Sequence, residues 1–167
     1  MKKLLIVIAF SLFLSTQMFG ADKQFGVGLG VGTFNMGLSA KYNLGGNTAI
    51  QGLLGARGSD GFALGVDFII NMPPSLLKNR DVSLDWYAGV GAAIWSYNGR
   101  HNSRDENWNT FAISGVVGLS LMLQKVPLEF ALEWRPSFYI SGADSWYDDG
   151  RDGLYLVEFG GSIRWFF

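Results

Sequence analysis

Nine charged residues recur at strand-like spacing among small neighbours: Lys41, Arg57, Asp67, Asp85, Glu129, Glu133, Arg135, Glu158 and Arg164. Each falls on the less apolar side of an alternating segment, so together they would point into one interior. Five acids against four bases nearly balance. Charge withdrawn from water must be paired, or it costs several kcal/mol. Such a set could form a plug of salt bridges or a path for protons or ions; the plug is the expectation. A second group surrounds the lone histidine in Asn98-Gly99-Arg100-His101-Asn102-Ser103-Arg104-Asp105-Glu106. On a strand, His101 and Ser103 would share a face, with the imidazole placed to activate the hydroxyl and Asp105 or Glu106 to orient it. A polar loop produces such a triplet easily by chance, and a solvated loop is the preferred reading. A third group, Asp144, Asp148, Asp149 and Asp152, is rich in the oxygen ligands that calcium prefers, but its spacing is not that of an EF-hand loop. The sequence therefore assigns no catalytic residue, no metal and no cofactor. Arg100, His101, Arg104 and the four aspartates are instead candidate interaction residues on two polar loops, where function on a rigid scaffold usually sits.

The elements that would position these residues are strands. In the segment 154–167, Tyr155, Val157, Phe159, Ile163, Trp165 and Phe167 alternate with Glu158, Ser162 and Arg164. Period two means one greasy and one polar face. Seven earlier segments read likewise: 25–32, 36–44, 48–57, 62–72, 82–95, 111–123 and 128–140. In the first, Phe25, Val27, Leu29 and Val31 oppose a rail of Gly26, Gly28, Gly30 and Gly32. Gly45-Gly46-Asn47 signals a tight turn. Pro73-Pro74 is expected to end the fourth strand, since proline cannot donate to a ladder, and 75–78 to form a helical turn. The aromatic residues Tyr42, Trp86, Trp95, Trp108, Phe138, Tyr155, Trp165 and Phe167 fall near strand ends, as interfacial girdles would.

Lys2 and Lys3 precede the apolar run 4–14 and the small residues Gly20-Ala21. This predicts a cleaved secretory signal over 1–20 and one mature domain over 21–167. The run is shorter than the roughly 20 residues of a membrane helix, and nothing later is long enough. There is no cysteine, which excludes disulfides and a lipidated N-terminus. Charged residues are 16% of the chain, against about 25% in ordinary soluble domains. Without the signal, 11 basic residues face 14 acidic ones, a net charge of −3. No basic excess points to nucleic acid.

Alternation alone leaves two barrels open, a soluble one with the greasy face inward and a membrane one with it outward. The polar face decides, because it is mostly Gly, Ala and Ser with charges at mid-strand. Eight strands enclose only enough room for such side chains. The expectation is an all-β, eight-stranded antiparallel up-and-down transmembrane β-barrel. Its turns at 45–47, 73–81 and 124–127 would be periplasmic, as would both termini, and its loops at 33–35, 58–61, 96–109 and 141–153 external. An open diffusion pore is not expected, since porins need about 16 strands.

The closing strand, ending on Phe167, resembles the last strand of bacterial outer-membrane barrels. That resemblance implies an insertion signal in Phe159, Ile163, Trp165 and Phe167, read by the barrel-assembly machinery. Gly26-Val27-Gly28-Leu29-Gly30-Val31-Gly32 with Gly37-Leu38-Ser39-Ala40-Lys41-Tyr42 looks like the first hairpin of small outer-membrane barrels of uncharacterised role. Trp86-Tyr87-Ala88-Gly89-Val90-Gly91, the run from Val126 to Glu133 and the run from Gly160 to Phe166 look like their later strands. The implied fold is that of the OmpA- and OmpX-like barrel class. The implied surroundings are outer-membrane lipid and lipopolysaccharide, and the family brings no agreed activity. His101-x-Ser103 is also similar to the catalytic pair of lipid A deacylases. The expected function is thus a non-enzymatic, structural or surface-interacting barrel with an unknown external ligand. A lipid A-modifying hydrolase and a minor ion-conducting barrel are the alternatives.

Overall fold

The computed structural model describes residues 24–32, 35–57, 61–101, 104–141 and 153–167; the expected signal segment lies outside them. Ten strands follow one another: β1 (Phe25–Gly32), β2 (Met36–Gly45), β3 (Thr48–Arg57), β4 (Gly61–Lys78), β5 (Val82–His101), β6 (Arg104–Leu123), β7 (Leu128–Trp134), β8 (Ser137–Ser141), β9 (Gly153–Tyr155) and β10 (Phe159–Phe166). All pairings are antiparallel between neighbours, and β1 pairs with β10. Strands β7 and β8 are two halves of one wall along β6. Strands β9 and β10 likewise form one wall along them. The result is a closed, eight-walled antiparallel β-barrel. Closure removes the free edges that an open sheet would present.

Alternation sets which side chains enter. Leu29, Leu38, Phe62, Val66, Val90, Ile113, Val117, Phe130, Leu132 and Ile163 all face outward and exposed. The interior takes Ser39, Lys41, Gln51, Asp67, Tyr87, Ser114, Ser120, Glu129, Glu133, Ser137, Glu158 and Arg164, all buried. The glycine rail of β1 is what gives the long interior side chains room. A Cβ on Gly28 would run into the backbone of Ile163 and Arg164, and one on Gly26 into the ring of Phe166. Phe166 accordingly turns inward and is 1% exposed. Tight turns join the walls at one end. Gly45 and Gly46 take φ of 99° and 60°, the left-handed backbone that suits glycine. Asn79 Oδ1 accepts from the N–H groups of Asp81 and Val82 at 3.0 and 2.8 Å, an Asx-type turn.

Several expectations are corrected. Pro73-Pro74, joined by a cis bond, does not end β4, and no helical turn follows. The prolines sit inside a register shift between Met72 and Leu77, after which Leu77 and Lys78 pair with Leu84 and Ser83. The missing N–H groups are absorbed where the ladder is already broken. The polar loop expected over 96–109 is largely a ribbon: β5 and β6 stay paired up to His101 opposite Arg104. Trp95 is no girdle residue but 7% exposed inside, its ring stacked on Tyr139 at 5.1 Å. Tyr155 turns inward too, edge-on to Tyr139 at 4.8 Å. Its face is switched by the irregular stretch 156–158, where Leu156 and Val157 are both exposed.

That irregular stretch lies beside the break at Arg135-Pro136 in the neighbouring wall. The two interruptions are bridged by Arg135 N–H to the Glu158 carbonyl at 2.9 Å. On the outer side the indole N–H of Trp134 donates to the Leu156 carbonyl at 2.6 Å.

Candidate functional site

The interior is a continuous polar network with two centres. The first is Glu129 on β7, 1% exposed. Its Oε1 accepts from Lys41 Nζ and Ser120 Oγ, each at 2.6 Å, and its Oε2 from Arg164 Nη1 at 2.9 Å. Glu129 and Arg164 are register partners on adjacent walls. Lys41 instead stands three walls from Glu129, with β1 and β10 between, and reaches across the glycine rail. Arg164 reaches back the same way, donating from Nε to Ser39 Oγ at 2.8 Å and from Nη2 to Gln51 Oε1 at 3.2 Å.

The second centre is Arg135. It grips Asp67 with both terminal nitrogens, Nη2 to Oδ1 at 2.6 Å and Nη1 to Oδ2 at 2.9 Å, and Nη1 also donates to Glu133 at 2.8 Å. Forked guanidinium–carboxylate pairs of this kind are the strong ones. Gln51 links the centres, its Nε2 donating to Asp67 at 3.1 Å and to Glu133 at 2.5 Å. Tyr87 adds its hydroxyl to Glu133 at 2.7 Å, and its ring faces Lys41 Nζ at 5.4 Å.

Glu158 differs from the expectation that it would meet a base. It accepts from Ser137 Oγ at 2.7 Å and from the Tyr139 hydroxyl, and Ser137 in turn contacts Ser114 Oγ at 2.8 Å. The reason is its place at the wall interruption, on the far side from Lys41 and under the Trp95–Tyr139–Tyr155 rings. Asp85 is half-buried on β5 opposite Ser120 and joins no ion pair among the described residues. Arg57 ends β3 opposite Gly61. Of the remaining candidates, Arg100 is the register partner of Asp105 along the ribbon, and His101 that of Arg104 at its end. Ser103, Asp144, Asp148, Asp149 and Asp152 lie outside the described residues. Phe159, Ile163 and Trp165 point outward, and the Phe167 N–H donates to the Phe25 carbonyl at 2.8 Å, tying the C-terminus to β1.

Sequence reading missed the neutral members of this network: Ser39, Gln51, Tyr87, Ser120, Ser137 and Tyr139. A signal for them existed, since each shares the parity of a charged residue on its own strand or on the strand beside it. Above the charges lies a cavity of about 70 Å³ lined by Asp67, Glu133, Arg135, Glu158, Ser114 and Trp95 among others. That is room for a few waters. Chemically, the two centres hold carboxylates and cations against one another in a buried interior. A hydrated ion crossing it would have to part several charge-assisted hydrogen bonds held in a low-dielectric interior.

Comparison with family models, with curated proteins and with solved structures yields no match to this chain.

Proposed function

We propose that this chain is a small, non-enzymatic outer-membrane barrel, exported by a cleaved signal, that acts as a structural or surface-interacting element with a sealed interior. One observation carries the reading: the barrel is inside-out. Its outward face is apolar from wall to wall, while Lys41, Asp67, Glu129, Glu133, Glu158 and Arg164 are all within 9% of full burial. Soluble monomers rarely expose contiguous apolar patches beyond a few hundred Å². Hydrocarbon is the surrounding that suits such a surface on every wall at once, and a closed barrel is one of the two backbone forms that can span it. Lipid and lipopolysaccharide are then the surroundings of the walls, and the ribbon of β5 and β6 is the part offered to an external partner. The interior supports sealing over conduction, because its described charges are bonded to one another or to hydroxyls except at Asp85.

The experiment is fractionation of cells expressing the full chain. The mature protein should sediment with outer membranes, resist urea extraction, and run on gels with heat-modifiable mobility. Recovery in the aqueous fraction would refute the membrane assignment. Discrete single-channel steps from the purified barrel in planar bilayers would refute the seal and favour the ion-conducting alternative.

A further inference from the structure

We infer that the outer surface of β5, β6 and β7 holds one acyl chain of an anionic glycerophospholipid, whose phosphate head sits on the cationic turns at the end of those strands. The inference rests on the membrane assignment proposed above. Trp86, Leu119 and Leu132 form one outward row across the three strands, with Trp134 and Phe159 in the next row. Strand β4 adds an overhang beside them. Between Met72, opposite Trp86, and Leu77, opposite Leu84, it carries residues 73–76 against the single Asp85 of β5. Leu76, the last residue of this excursion, borders an apolar groove of about 520 Å³ over the two rows. Leu76 and Leu132 are both exposed there. That volume falls within the range of small-ligand sites, about 300–1,000 Å³.

Charge selects the head group. The strands below the groove end in two short turns that are tied together. The Gln124 N–H donates to the Asp81 carbonyl at 2.8 Å, Gln124 Nε2 donates to Ser83 Oγ at 3.1 Å, and Lys125 Nζ meets Asp81 at 2.9 Å. Lys78 and Arg80, exposed on the same hairpin, join no ion pair among the described residues. Asp81 is occupied by Lys125, and Asp85 shares the inward parity of Tyr87. The linked turns therefore present unbalanced positive charge, and basic residues at a membrane surface draw anionic lipid. The depth also matches. From Leu123 at the turn to Val117 beside Trp134, β6 covers about 20 Å of strand, or roughly 15 Å of depth at the usual tilt. That is half of the roughly 30 Å hydrocarbon core, the reach of one leaflet. A second copy of the chain is a poorer occupant, because two barrels inserted the same way would set these cationic turns against each other.

The test uses the full mature barrel in vesicles of phosphatidylcholine and phosphatidylglycerol with identical chains, one lipid at a time carrying brominated chains. Bromine quenches nearby indoles, so Trp86 and Trp134 report which lipid fills the groove. Trp165→Phe removes an outward reporter on β10. Brominated phosphatidylglycerol should quench with an affinity about fivefold above that of phosphatidylcholine. The preference should fade at about 1 M salt, where the screening length is about 3 Å. Lys78→Gln with Arg80→Gln should bring the ratio close to one, with heat-modifiable mobility unchanged. Leu76→Ser should reduce the lipid retained after transfer to detergent, read by native mass spectrometry. Equal quenching by the two lipids in the unmodified barrel would overturn the inference, as would a preference that survives the double glutamine substitution. Displacement by free glycerol phosphate, or a dimer that retains no lipid, would overturn it too. The unmodified barrel's preference decides the matter even where a variant fails to fold. Equal quenching in a protein that sediments with outer membranes would overturn this inference alone, whereas recovery in the aqueous fraction would overturn the membrane assignment and this inference with it.

Discussion

Glu129→Gln removes one charge and leaves the shape of the side chain. In the folded barrel Glu129 accepts three donors, Lys41, Arg164 and Ser120. A glutamine offers one oxygen, and its amide group must then point a donor at donors. Lys41 and Arg164, 5% and 3% exposed, are left without the carboxylate that balances both. The carboxylates at the other centre are already bonded to Arg135, Gln51 and Tyr87. Removing one partner of a buried ion pair costs about 3–5 kcal/mol, and the value here should fall toward the upper end because two cations are stranded. With a urea slope of about 2 kcal/mol/M, the unfolding midpoint in lipid vesicles should fall by roughly 1.5–2.5 M. Lys41→Met added to Glu129→Gln should recover part of the loss, because it removes one of the stranded charges. A midpoint for Glu129→Gln close to that of the parent would show that Glu129 is not the centre of the network, and that the interior is wet enough to solvate Lys41 and Arg164 without it.

Further outcomes follow from the same geometry. Val117, 42% exposed on the outer face of β6, should tolerate arginine poorly: Val117→Arg should cost about 2–4 kcal/mol in lipid, measured by the urea midpoint. Gly28→Val should fail to fold or lose heat-modifiable mobility, because a Cβ there meets backbone of β10. Gly115→Val should fold, since its Cβ would meet only Pro136 Cγ at 3.4 Å and the Pro136 carbonyl oxygen at 3.9 Å. Arg135→Lys keeps the charge but loses the fork onto Asp67, so it should lower the midpoint, with Asp67→Asn lowering it by a similar amount.

Much of this fold was legible because period two is a strict code. Once Leu29, Leu38, Val66 and Val117 are placed on one face, Lys41, Asp67, Glu129 and Arg164 have nowhere to go but the other. What was not legible depended on faults in the period. Between Tyr155 and Glu158 both Leu156 and Val157 face outward, so parity counted back from the C-terminus puts Tyr155 on the wrong side. Nothing local in the sequence marks that slip. Trp95 had the inward parity of Tyr87 all along, and reading it by its nearness to a strand end overrode the better rule. Pro73-Pro74 misled because proline forbids a ladder bond at its own position, not the resumption of pairing at Leu77, three residues after Pro74. The partners of individual charges were harder still. Glu158 bonds to Ser137 and Tyr139 rather than to a base because contact across the interior depends on the stagger of the walls and the reach of each side chain, which no spacing along one strand encodes.

Arg164 carries a consequence for how the barrel is made. Its bonds to Ser39 and Gln51 join residues 125 and 113 positions apart, and they exist only when the final strand lies against the first. Until then Lys41 and Glu129 face each other across an unclosed gap, and the first two strands hold a lysine with no neighbour to neutralise it. Synthesis from the N-terminus therefore yields a chain whose interior stays electrically unfinished until β10 arrives. A chain cut short before Arg164 would be a cage without its keystone, easily told apart from the finished article by any protease that samples open edges.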